Sequence, residues 1–247
     1  MTNPLGHTRT VIARNHAMIA PDTHVIAPLT GWRSTPGAVL LAPDMGAGFC
    51  HYLAMLSRQS SFTGQLEYVE RFIFVREGTG KIVIDRKTHA LRPGSFAFIG
   101  PNIPHDITTT KAMKLIVFEK TYQAIEAAAE PKSVVSHIDE RPASPFMGDP
   151  DAMLAALLPD DESFDLAVNL FTFQPGAALP LVESHVFEHG LHMTQGQGIY
   201  RLDNQWFPVQ ANDVIWMGPF CPQWFCAYGK GPAQYLYSKN INRNPIA

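Results

Sequence analysis

One offset governs this chain. Sliding its second half back by 118 positions lays Glu188 on Glu70, Gly196 on Gly78, Gly198 on Gly80, Gly218 on Gly100 and Pro219 on Pro101, with no gap. Glycines that recur at fixed offsets mark turns whose backbone needs positive φ, so they fix where strands begin and end. The Gly-Pro dipeptide and the G-x-G pair agree at one offset, which coincidence among scattered glycines does not supply. The simplest reading is two copies of one β unit of roughly a hundred residues each.

The segments between the glycines read as strands. Phe72–Val75, Lys81–Ile84, Ser95–Ile99 and Lys114–Phe118 are short and rich in β-branched or aromatic residues. The second half offers Ala167–Phe173, Gly198–Leu202, Val214–Met217 and Gln234–Tyr237. Short strands at regular spacing, closed on themselves, predict a jelly-roll β-barrel in each half and an all-β fold class. The expected units are residues 1–135 and 136–247. The alanine-rich stretch Tyr122–Glu130 reads as a short linking helix, and Met153–Leu158 as a second, shorter helical candidate.

Composition bounds the function. The chain has 247 residues, enough to bury a core without staples. Its net charge is −3 and it has no basic run, so the electrostatic footprint of nucleic-acid binding is missing. No stretch approaches the roughly 20 apolar residues of a membrane helix. Met1–Ala20 mixes Arg9, Arg14, His7 and His16 into its apolar residues and lacks a signal-peptide core. Cys50, Cys221 and Cys226 follow no disulfide or metal spacing. A cytoplasmic location is the expectation.

The chemistry is concentrated in Glu183-Ser184-His185-Val186-Phe187-Glu188-His189-Gly190. On a strand, Glu183 and His185 would share a face. His189 follows four residues later, past a possible bend, and three potential ligands within seven residues point to a metal. In the first half the repeat puts Gln65, Glu67 and Arg71 at these places. A guanidinium has only donors and cannot ligate a cation, so the first unit is expected to hold no metal. Its His105 corresponds to Gln223, which makes Gln223 the candidate last ligand of the second unit. His105 with Glu67 and Glu70 might form a residual first-unit site, but Arg71 argues for a structural role there.

This spacing resembles the first motif of the cupin superfamily, with Glu183, His185 and His189 in its ligand slots, Gly196 closing it, and Gln223 in the later histidine slot. The stretches E-S-H-V-F-E-H-G, G-Q-G-I-Y-R-L-D-N-Q-W-F-P-V and Y-L-Y-S-K-N-I-N-R look like those of the (S)-ureidoglycine aminohydrolase family of bicupins. The likeness is strong over 176–243 and weaker over the first half. It implies a Mn²⁺ enzyme of allantoin and purine breakdown that converts (S)-ureidoglycine and water to (S)-ureidoglycolate and ammonia. It implies Glu183, His185, His189 and Gln223 as metal ligands, and Tyr200, Tyr235 and Lys239 as residues contacting a small polar ureido acid. Lys239 and Glu183 are then the candidates for moving protons. It also implies a homo-oligomer.

Two imidazoles beside two oxygen donors suit Mn²⁺ or Fe²⁺ better than structural Zn²⁺, and four protein ligands leave room for substrate. Two other readings stay open. One is another cupin metalloenzyme, such as an Fe²⁺ or Mn²⁺ dioxygenase; the other is a cupin that binds without catalysis. The first barrel is expected to serve structure, with Phe62, Phe72 and Phe74 covered by the second barrel and by a neighbouring subunit.

Overall fold

The computed structural model describes residues 7–243. The outermost residues of both expected units, 1–6 and 244–247, and with them part of the Met1–Ala20 segment, lie outside the described residues. The fold is all-β: the described residues form 22 strands, every pairing between them antiparallel, and three single-turn 3-10 segments. Each half curls into a barrel of one large and one small sheet. The first combines a seven-stranded and a four-stranded sheet; the second combines an eight-stranded and a three-stranded sheet.

The repeat has its expected physical basis. Gly78 and Gly196 sit at φ +80° and +71°, and a Cβ on either would lie 2.1 Å from the Ala112 carbonyl oxygen or 2.4 Å from that of Pro232. Both strain and space therefore demand glycine at the same turn of each barrel.

Strand Val69–Gly78 shows why the apolar runs do not alternate with polar residues. Ile73 and Val75 point into the first barrel, while Phe72 and Phe74 point out of it, toward the second. Ala97 and Ile99 against Phe96 and Phe98 divide in the same way, as do Leu115 and Val117 against Ile116 and Phe118. From the other side, Leu166, Val168, Val214 and Trp216 meet that outer face, while Phe171, Phe173, Ile215 and Met217 fill the second barrel. Three cores result, two inside the barrels and one between them. Phe62, Phe72 and Phe74 are buried within one chain, Phe62 inside the first barrel and the other two against the second half. They need no neighbouring subunit to cover them.

Two strands cross over the expected boundary. His16–Ile19, near the start of the chain, pairs with Val214–Met217 of the second barrel. Val134–His137, which contains the 135/136 division, pairs with Ser95–Ile99 of the first.

Neither helical expectation holds. Residues 122–130 form an irregular connection whose first residue is tied at both ends: Tyr122 donates its N–H to the Tyr68 carbonyl and its hydroxyl to the Ser163 carbonyl. Nine residues are too few to repay helix nucleation without a packed face. Met153 lies in strand Asp149–Ala156, which pairs with Leu166–Phe173, so sheet packing overrides the helical preference of its alanines and leucine.

Candidate active site

A cavity of about 150 Å³ opens inside the second barrel, lined by Glu183, His189, Tyr200, Gln223, Tyr235 and Lys239 together with Tyr237, Phe146, Phe171, Leu179 and Leu191. Three strands supply most of the polar lining. His189 opens strand His189–Gln195 and pairs directly with Lys239 on Ala233–Asn240. Gln223 opens strand Gln223–Tyr228 and forms an isolated bridge with Glu183, each N–H donating to the other's carbonyl at 2.9 Å.

The ligand segment is not a strand. Residues 184–188 run irregularly between the Glu183 bridge and the start of the strand at His189. Glu183 and His185 therefore reach the same region by a loop and not by strand parity.

His185 stands next to the cavity lining. Its ring centroid is 4.8 Å from that of His189, and its Nε2 is 3.5 Å from the Gln223 side-chain nitrogen. The Tyr200 hydroxyl donates to Gln223 Oε1 at 3.3 Å. The Tyr237 ring stacks on His189 with centroids 5.4 Å apart and planes 16° apart. Lys239 Nζ sits 5.7 Å from the centre of the Phe187 ring, which places that ring beside the loop's lysine partner.

Burial sets the electrostatics. Desolvation holds His189 well below the ordinary imidazole range, with His185 and Lys239 adding repulsion. His185 is lowered for the same first reason. Burial raises Glu183, opposed by Lys239, and lowers Lys239, opposed by Glu183. The Tyr200 and Tyr235 phenols are pushed well above their usual value by burial. At neutral pH the cavity thus presents neutral imidazoles and phenols beside one carboxyl and one amine.

The donor set suits a divalent cation. His189 Nε2 and His185 Nδ1 are buried with no hydrogen-bond partner. A buried polar nitrogen left without a partner is costly, and a cation is one partner that would relieve it. Neutral imidazole, amide oxygen and carboxylate are all suitable ligand types. Among the described residues, however, no three His, Cys, Asp or Glu side chains already converge on one point. The donor chemistry of His185, His189, Gln223 and Glu183 fits a metal.

Sequence reasoning missed Tyr237, although its signal was present: Tyr235, Tyr237 and Lys239 alternate along one strand. Phe146 comes from the preceding hairpin and carried no signal. Cys221 is buried, its thiol pushed up to about 11 by desolvation, but it does not line the cavity.

The equivalent place in the first barrel is filled by a side chain. Arg71 is buried, donates from Nε to Glu119 at 2.7 Å, and lies 3.8 Å over the Phe62 ring. Glu67 is exposed, and Glu70 is buried beside Lys120 and Asp165, so His105 has neither as a partner. The three residues of a residual first-barrel site are thus not brought together.

A family profile described as a cupin domain matches residues 65–119. The chain is 39% identical over 242 residues to the (S)-ureidoglycine aminohydrolase of Arabidopsis thaliana, covering 98% of this chain and 80% of that protein. It is 32% identical over 237 residues to the (S)-ureidoglycine aminohydrolase of Escherichia coli strain K12, covering 93% of this chain and 90% of that one. A crystal structure of a putative glyoxylate-induced protein from Pseudomonas aeruginosa superposes with a TM-score of 0.87 at 27% identity, covering 98% of this chain and 93% of its own.

Proposed function

Because the chain belongs to the (S)-ureidoglycine aminohydrolase family of cupin enzymes, we propose that it hydrolyses (S)-ureidoglycine to (S)-ureidoglycolate and ammonia in purine catabolism. In that reaction the bond from the α-carbon to its amino nitrogen breaks and a bond to a water oxygen forms. The observation that carries the reading is the meeting of Glu183, Lys239, Tyr200 and Tyr235 at one small cavity beside two imidazoles that each keep one unpartnered nitrogen.

His185, His189, Gln223 and Glu183 would hold Mn²⁺, which when bound supplies positive charge and open positions for a carboxylate or ureido oxygen. Lys239 binds the substrate carboxylate, because burial in an apolar wall strengthens a charge pair that water would screen. Tyr200 and Tyr235 remain protonated; Tyr235 donates to a ureido oxygen, and Tyr200, whose proton goes to Gln223 Oε1, accepts from a ureido N–H. Glu183 and Lys239, facing one cavity, are the residues placed to move protons. Phe146, Phe171, Leu179 and Leu191 restrict bulk water. A cavity of about 150 Å³ suits a small acid of this kind. Among the described residues no helix is long and apolar enough to cross a membrane. The reading adds a cytoplasmic, homo-oligomeric protein with no nucleic-acid partner.

The test mixes Mn²⁺-loaded protein with freshly generated (S)-ureidoglycine and follows ammonia and product chirality. Enantiopure ureidoglycolate from the wild type, absent with His185→Ala, supports the assignment. A rate no greater than spontaneous decay, with metal bound, overturns it.

A further inference from the structure

Glu188 lies between the proposed ligands but is not one of them, and its surroundings are unusual for a carboxylate. It is 6% exposed. It accepts from the Gly48 N–H at 2.9 and 3.0 Å, from Trp216 Nε1 at 2.9 Å and from Asn240 Nδ2 at 2.8 Å. These donors come from three separate pieces of chain. Gly48 precedes strand Cys50–Leu56 of the first barrel, Trp216 is on Val214–Met217, and Asn240 ends Ala233–Asn240.

Each connection leads to the site. Glu188 is bonded through the main chain to His189, Asn240 follows Lys239, and the Asn240 N–H also donates to the Glu188 carbonyl at 3.3 Å. Phe187, on the other side of Glu188, lies against His185 and Lys239. One carboxylate therefore ties the ligand loop to the lysine strand and both to the other barrel. The fit is tight from the first-barrel side as well: a Cβ on Gly48 would lie 2.3 Å from Glu188 Oε1.

We propose that Glu188 is a positioning residue of this site, and that the first barrel, through Gly48, sets the placement of His189 and Lys239. The metal part rests on the ligand reading above. Donors aimed at a fixed carboxylate hold its neighbours to one geometry, and groups outside the ligand set govern how well a metal is held. The first barrel would then contribute to the chemistry without a group in the cavity.

The experiment compares full-length Gly48→Ala and Glu188→Gln with wild type and with Ile82→Val, a first-barrel core change remote from Glu188. Two quantities are read: Mn²⁺ affinity by electron paramagnetic resonance titration, and hydrogen exchange of residues 183–190 in metal-free protein. Gly48→Ala should weaken Mn²⁺ binding about tenfold or more and speed exchange at 183–190 selectively. Ile82→Val should lower melting temperature and do neither. If Gly48→Ala and Glu188→Gln lower melting temperature as Ile82→Val does, yet leave affinity and local exchange within about twofold of wild type, the proposal is overturned. Gly48→Ala keeps every second-barrel side chain, so it decides the matter should Glu188→Gln fail to fold. A wild type that takes up no Mn²⁺ overturns the metal reading, and exchange at 183–190 still decides the positioning role.

Discussion

Arg71 donates from Nη1 to His105 Nε2 at 2.8 Å, and the His105 Nδ1–H donates to the Ile103 carbonyl at 2.9 Å. The repeat places these two residues where His189 and Gln223 stand in the second barrel. The first barrel thus carries its positive charge covalently, as a guanidinium held by Glu119 and stacked over Phe62. Burial, and then the charge of Arg71, lowers His105 to about 4, so the imidazole accepts as a neutral ring. Arg71→Ala should cost about 3–5 kcal/mol, because it removes one partner of a buried network. A denaturant midpoint will show it, while Mn²⁺ stoichiometry should stay at the wild-type value.

His51 and His192 face each other between the barrels, Nε2 to Nδ1 at 3.4 Å, both buried. Desolvation holds His51 down to about 3 and His192 well below the usual value. Both are neutral when folded, but the unfolded chain takes up protons near pH 6.5. Stability is therefore full above that pH and is lost as pH falls below it, by about 2 kcal/mol per imidazole at pH 5. His51→Asn should flatten the acid limb of stability against pH. An acid limb as steep as wild type would contradict this.

Stripping the metal should abolish ammonia release, and Mn²⁺ should restore it. His189→Ala and Gln223→Ala should each weaken Mn²⁺ uptake, since each removes a donor of a set that has no third imidazole. Metal content by mass spectrometry checks both. Full loading of either variant would remove that residue from the ligand set.

Lys239→Met should raise KM at least tenfold, as expected when a charge-assisted contact of about 1.5–3 kcal/mol is lost. Methionine keeps most of the stem, so circular dichroism melting should change little. An unchanged KM would take the carboxylate away from Lys239.

Phe72 points into the core shared by the barrels, stacked on Phe96 with centroids 5.7 Å apart. Phe72→Ala should cost about 3–5 kcal/mol. One unfolding transition should remain if the three cores melt together; separate transitions would show that the barrels unfold independently.

How far the sequence reached depends on range. Turn glycines and β-branched runs are local, and the strands and their repetition followed from them. Three of the four ligand candidates lie within seven residues and were readable in the same way; Gln223 came from the repeat, Tyr200, Tyr235 and Lys239 from the family resemblance, and with Glu183 and His189 they line one cavity. What escaped depends on partners distant in sequence. Phe72 and Phe74 were expected to need a neighbouring subunit besides the second barrel, because how completely residues from Phe164 to Trp216 cover them is not legible locally. The Tyr122–Glu130 segment read as helix because alanine propensity is local, whereas the bonds from Tyr122 to Tyr68 and Ser163 are not. The role of Glu188 rests on Gly48, 140 residues away, and so leaves no local mark in the sequence.

The strand His16–Ile19 pairs with Val214–Met217, nearly two hundred residues later. During synthesis this strand is made long before the edge it joins. The sheet that carries His189 lies directly behind that late edge. The sheet behind the site is therefore closed only once Val214–Met217 has been made, and until then this strand presents an open edge, ready for pairing with a neighbour.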